Sequence, residues 1–96
     1  MILVRNVFQV KFGKMKEARG LWKEGIKFVN AANKPRLLTD LTGPFYTLVL
    51  ETTHKDVASL DADMRSEMSQ TGWDAWYQKF IPLVDSGRRE MYAVVE

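Results

Sequence analysis

The chain has 96 residues, fourteen Lys and Arg against twelve Asp and Glu, 46% hydrophobic side chains and no cysteine. That composition suits one globular domain spanning residues 1–96, and it excludes disulfides, thiol nucleophiles and cysteine-based metal sites. No apolar run approaches the ~20 residues that cross a bilayer and the first residues lack the features of a signal peptide, so a cytoplasmic protein with no membrane partner is expected.

Residues 2–12 alternate: Ile2, Val4, Asn6, Phe8, Val10 and Phe12 share one face, and Leu3, Arg5, Val7, Gln9 and Lys11 the other. That period of two predicts a strand. After Gly13 the period changes, and Met15, Ala18, Trp22, Ile26 and Val29 form a helical stripe. Gly20 and Gly25 interrupt this helix, which predicts tight packing at both. Residues 30–35 end it.

Residues 36–41 read as a short second strand, with Pro35 marking a sheet edge. Thr42-Gly43-Pro44 is a turn, and residues 45–51 form an aromatic and branched third strand. Thr53-His54-Lys55-Asp56 has the spacing of a capping box, from which Val57, Leu60 and Met64 carry a helix. Thr71-Gly72 interrupts it, and a second helical piece presents Trp73, Trp76, Phe80 and Val84. Residues 88–95 form the last strand. The order is β-α-β-β-α-β, an α+β ferredoxin-like arrangement.

Two helices cover one face of such a sheet, and the other face is polar when the domain stands alone. Here Phe45 and Val49 oppose Tyr46, Leu48 and Leu50, while Met91, Ala93 and Val95 oppose Tyr92 and Val94. An apolar face of that size predicts a second copy packed against it, as a homodimer.

The stretch Arg36-Leu37-Leu38-Thr39-Asp40-Leu41-Thr42-Gly43-Pro44-Phe45, with the strand that follows, resembles the middle of NIPSNAP-like proteins in the dimeric α/β barrel superfamily. The ending Trp76-Tyr77-Gln78-Lys79-Phe80-Ile81-Pro82-Leu83-Val84-Asp85-Ser86-Gly87-Arg88-Arg89-Glu90-Met91-Tyr92 resembles theirs too. The resemblance implies an antiparallel sheet, helices on one face, first and third strands central, and a dimeric α/β barrel. The superfamily includes cofactor-independent monooxygenases, haem-degrading enzymes and proteins of no known activity. Its haem-degrading members carry an Asn on the first strand with a Trp and a His on the second helix, and this sequence matches that pattern only at Asn6.

No catalytic motif, metal-ligand set or cofactor fingerprint is present, so no catalytic residue, cofactor or metal is assigned. Asn6 breaks the apolar face of the first strand, where a buried amide needs a hydrogen-bonding partner from backbone, water or ligand. His54 is the sole histidine; it reads as a solvent-accessible turn residue or as a polar group in a pocket. Trp76 and Tyr77 lie on an aromatic helix, a pattern that serves as core or as the wall of an apolar ligand site. Asn6, Trp76, Tyr77 and His54 are the candidate ligand-binding residues. Asp61 and Asp63 read as a solvated helix face, and Arg88 and Arg89 as edge protection.

Three functions compete. One is a cofactor-free homodimer that binds or transforms a small apolar or aromatic molecule. Another is a non-enzymatic assembly or protein-interaction module. The third is RNA binding on the same element order, which needs spaced aromatics and a basic residue on the third strand. Phe45 and Tyr46 are adjacent and residues 42–48 hold no Lys or Arg, so no nucleic-acid partner is expected. The charge asymmetry, with nine Lys and Arg before residue 37, matches a basic first helix beside an acidic second one.

Overall fold

Alternating apolar residues carry the first strand, β1 (Ile2–Val10), through the centre of the molecule. The computed structural model describes residues 1–95. β1 stops two residues earlier than the alternation: Lys11 N–H bonds Leu83 O at 2.8 Å and the chain turns at Gly13, whose φ of 81° suits glycine. Phe12 is thereby thrown outward, 78% exposed.

Helix α1 (Met15–Gly25) follows, burying Ala18 and Trp22 before tightening into a 3-10 turn at Ile26–Phe28. Of its two internal glycines, only Gly25 is tightly packed. A Cβ at Gly20 would meet nothing within 4 Å, so the sequence expectation fails there.

Strand β2 (Arg36–Thr39) is short, as edge strands tend to be. Asp40 Oδ1 then accepts from Thr47 N–H at 2.7 Å and closes the loop to β3 (Thr47–His54). This strand begins two residues later than expected and runs three further. Tyr46, at φ 34°, lies outside extended geometry, so Phe45 and Tyr46 belong to the loop.

The next helix, α2 (Val57–Met68), is capped by Asp56 itself, whose Oδ1 accepts from Ser59 N–H at 2.8 Å. The expected box starting at Thr53 is absent because Thr53 and His54 are still strand. Gly72, at φ 92°, opens α3 (Trp73–Phe80). Strand β4 (Val84–Ala93) begins four residues before the expected start.

The sheet order is β2-β3-β1-β4 with antiparallel pairing throughout, a ferredoxin-like α+β fold. As the resemblance implied, β1 and β3 are central and β2 and β4 are edges. The helices cover one side, where Val10, Leu48, Leu50, Trp22, Trp76 and Phe80 form a continuous core. The packing is dominated by rings: Phe8 meets Phe80 edge-on at 4.9 Å, and Trp22 meets Trp76 edge-on at 4.6 Å.

The helix-free side is less apolar than the sequence suggested. Register places Leu38, Val49 and Val7 in one row across β2, β3 and β1, and Arg36, Glu51, Arg5 and Glu90 in the next across all four strands. Arg5 lies 3.8 Å from both Glu51 and Glu90, Arg36 pairs with Glu51, and Arg88 approaches Glu90 at 3.0 Å. Phe45 and Tyr46 lie in a loop and Leu48 and Leu50 face the helices, while Val49 remains on the helix-free side, so β3 is buried on both faces from Leu48 to Thr52.

Candidate functional site

Between the sheet and the helices lies a cavity of about 340 Å³. Its floor is built by strand alternation: Val4, Asn6 and Phe8 from β1, Leu50, Thr52 and His54 from β3, and Arg89 from β4. Its roof comes from α2 through Leu60, Asp63, Met64 and Glu67, and from α3 through Trp73, Trp76 and Tyr77. Trp22 and Val29 complete the apolar wall.

All four sequence candidates line this one space. Trp76 is buried, and its indole Nε1–H donates to Leu21 O at 2.7 Å. Tyr77 is 37% exposed and stacks on Trp73 at 4.8 Å with the ring planes 13° apart. Asn6 is satisfied by a side chain: its Oδ1 accepts from Arg89 Nε–H at 2.8 Å. Register explains that bond, since Asn6 and Arg89 are direct cross-strand partners.

His54 is not a solvent-accessible turn residue. It ends β3 with its side chain 4% exposed, bonded through Nδ1 to Asp63 Oδ2 at 2.8 Å and through Nε2 to Thr52 Oγ1 at 2.8 Å. A carboxylate only accepts, so Nδ1 carries the hydrogen toward Asp63. In the neutral imidazole Nε2 then accepts from the Thr52 hydroxyl. The result is a directed chain, hydroxyl to imidazole to carboxylate, that ties β3 to α2.

Asp63, Thr52, Glu67 and Arg89 escaped the sequence reading. Asp63 follows Leu60 by three positions and so shares its inward side of α2, a spacing that contradicts a purely solvated face. Thr52 stands two residues from both Leu50 and His54 and therefore shares their side of the sheet. Arg89 was assigned to edge protection, but it faces the cavity opposite Asn6. Only three-dimensional placement shows Glu67. Burial pushes its carboxyl above the ordinary range, assisted by Asp63 and opposed by the Arg89 guanidinium.

The cavity thus joins an aromatic wall to a few placed polar groups, the usual make-up of a small-molecule site. One further donor is notable: Trp22 Nε1–H is buried and finds no hydrogen-bond partner among the described residues. Among the same residues no cluster of three or more metal-ligating side chains occurs, and no helix is long and apolar enough to cross a membrane.

No protein-family model matches the chain, and no curated protein matches it. Solved structures do. An uncharacterised NIPSNAP domain protein from Burkholderia xenovorans superposes with a TM-score of 0.86 at 15% identity, covering 99% of this chain and 95% of that one. A NIPSNAP family protein from Agrobacterium tumefaciens strain C58 gives 0.86 at 17% identity, covering 99% and 86%. An antibiotic biosynthesis monooxygenase gives 0.73 at 15% identity, with both chains fully covered. At such identities the likeness is one of fold, and the chain is NIPSNAP-like in that sense.

Proposed function

We propose that this chain is a homodimeric, cofactor-free protein that binds or transforms a small apolar or aromatic molecule in the cavity between its sheet and its helices. The observation that carries the reading is the cavity itself: about 340 Å³, walled by Trp22, Trp73, Trp76 and Tyr77. Its volume lies within the range of small-ligand sites. Fold analogy adds that one similar structure is an antibiotic biosynthesis monooxygenase. The lack of cysteine fits a cytoplasmic setting.

Support for a second copy comes from the helix-free side of the sheet. Tyr92 and Val94 are 48% and 39% exposed there, and its charged row is already internally paired. A paired row loses less on being covered than isolated charges would.

Native mass spectrometry of freshly purified protein tests both parts. A dimer carrying a small-molecule increment is the expected result. A bare monomer that also fails to take up added aromatic compounds would overturn the reading. A bare dimer with no uptake would favour assembly or protein interaction, for which the exposed Phe12, Leu41 and Phe45 are the available surface.

A further inference from the structure

We propose that Thr52, His54 and Asp63 form a proton relay that accepts the proton of a phenolic hydroxyl on the molecule in the cavity. The inference rests on the reading of that cavity as a small-molecule site.

Geometry supplies the first argument. Both imidazole nitrogens are engaged at 2.8 Å, and the partners are of opposite kind. Asp63 fixes the tautomer and the ring, and it stabilises the imidazolium once formed. Thr52 is the terminal group of the chain and lines the cavity with its two partners. In the neutral state its hydroxyl gives its hydrogen to Nε2 and keeps lone pairs free to accept one from a ligand.

The step balances without an added reactant. The ligand O–H proton passes to Thr52 Oγ1 as the Thr52 hydrogen passes to His54 Nε2. The products are a ligand phenolate and an imidazolium held against the Asp63 carboxylate. No electron leaves the system, and Thr52 ends as a neutral hydroxyl.

Acidity selects the ligand class. Imidazole accepts a proton effectively only from a group that ionises not far above neutral pH. Phenols, especially electron-poor ones, meet that condition, whereas alkyl alcohols do not. The aromatic wall independently favours a ring. The other charged groups lining the space are Glu67, whose carboxyl is raised by burial, and Arg89, which supplies a cation for the new anion.

No sequence spacing marks the relay, since its members are split between a strand and the middle of the following helix. A purely structural clip between β3 and α2 would have the same distances, so the test must read ionisation of the ligand.

The probes are 4-nitrophenol and its methyl ether, 4-nitroanisole, added to the full chain at a pH below the ionisation midpoint of the free phenol. Tryptophan quenching reports binding of each, and phenolate absorption reports ionisation. The expected result is that both bind and that the bound phenol shows a phenolate fraction about tenfold above its value in buffer, a shift of about one pKa unit. His54, the sole histidine, should then show the ¹⁵N signature of imidazolium in the wild-type protein, so the test does not depend on any variant folding. In Thr52→Val the phenolate fraction of the bound phenol should return to the buffer value.

If both probes bind and the phenol is no more ionised than in buffer, the relay is wrong and the cavity reading stands. If neither probe binds, the cavity does not take aromatic ligands and the relay fails with it.

Discussion

A Cβ placed on Gly25 would overlap Cζ2 of Trp76, so the last residue of α1 and the indole of α3 occupy one shared space. Glycine is required there by close approach, and the Trp76 ring it admits becomes a wall of the cavity. Gly25→Ala should therefore destabilise the fold by about 1–3 kcal/mol through overpacking. Gly20→Ala, in open space on the same helix, should stabilise it by about 0.5–1 kcal/mol. Urea denaturation of both variants checks the pair, and equal effects of the same sign would contradict the packing described.

The two buried indoles differ in what they bond. Trp76→Phe removes a donor to Leu21 O at 2.7 Å as well as ring area, leaving that carbonyl short of a partner. Trp22→Phe removes a donor that has no partner among the described residues. Trp76→Phe is expected to be the more damaging by about 1 kcal/mol, a typical net hydrogen-bond contribution. Matched denaturation curves measure the difference.

His54 bridges β3 and α2, so His54→Ala leaves Thr52 and Asp63 without their shared partner. Loss of about 1–3 kcal/mol is expected from the groups left unpaired in a largely covered site. Hydrogen exchange should locate the loosening at α2, with the central strands little changed.

Glu67 gives a pH dependence of opposite sign to that of a salt-bridged carboxylate. Its folded-state carboxyl holds a proton to higher pH than the ordinary value of 4.5, because burial disfavours the anion. The native state therefore binds more protons than the unfolded chain in the window between the two values, and stability falls as pH rises through it. Above the folded value the full destabilisation is present, and below 4.5 both states are protonated and it is absent. Glu67→Gln should raise the melting temperature at neutral pH and leave it nearly unchanged in acid. Removing Arg89 instead should deepen the neutral-pH loss, since that guanidinium favours the anion.

Much of the architecture was legible because periodicity reports burial directly. Ile2, Val4, Phe8 and Val10 announced β1, and Met15, Ala18 and Trp22 announced α1. Boundaries failed where a hydrogen bond between distant residues decided them, as with Lys11 N–H on Leu83 O and Asp40 on Thr47. The helix-free side is less apolar than expected because Phe45, expected on the third strand beside Val49, lies in the loop before Thr47, where Tyr46 takes a positive φ.

Of the site, the aromatic half was readable and the polar half mostly was not. Asn6 stood out because it interrupts an apolar series. Asp63 and Arg89 looked like ordinary surface charges, since their significance comes only from the partners that register and helix packing bring to them.

The measurement that bears most directly on the cavity is a ¹H–¹⁵N titration of the full chain with 4-nitroanisole, following the indole signals of Trp22, Trp73 and Trp76 and the His54 imidazole. Saturable shifts at Trp76, Trp22 and His54, with one common dissociation constant, are the predicted result. Their absence up to the solubility limit, or shifts confined to the amides of Phe12, Leu41 and Phe45, would contradict a ligand site between the sheet and the helices.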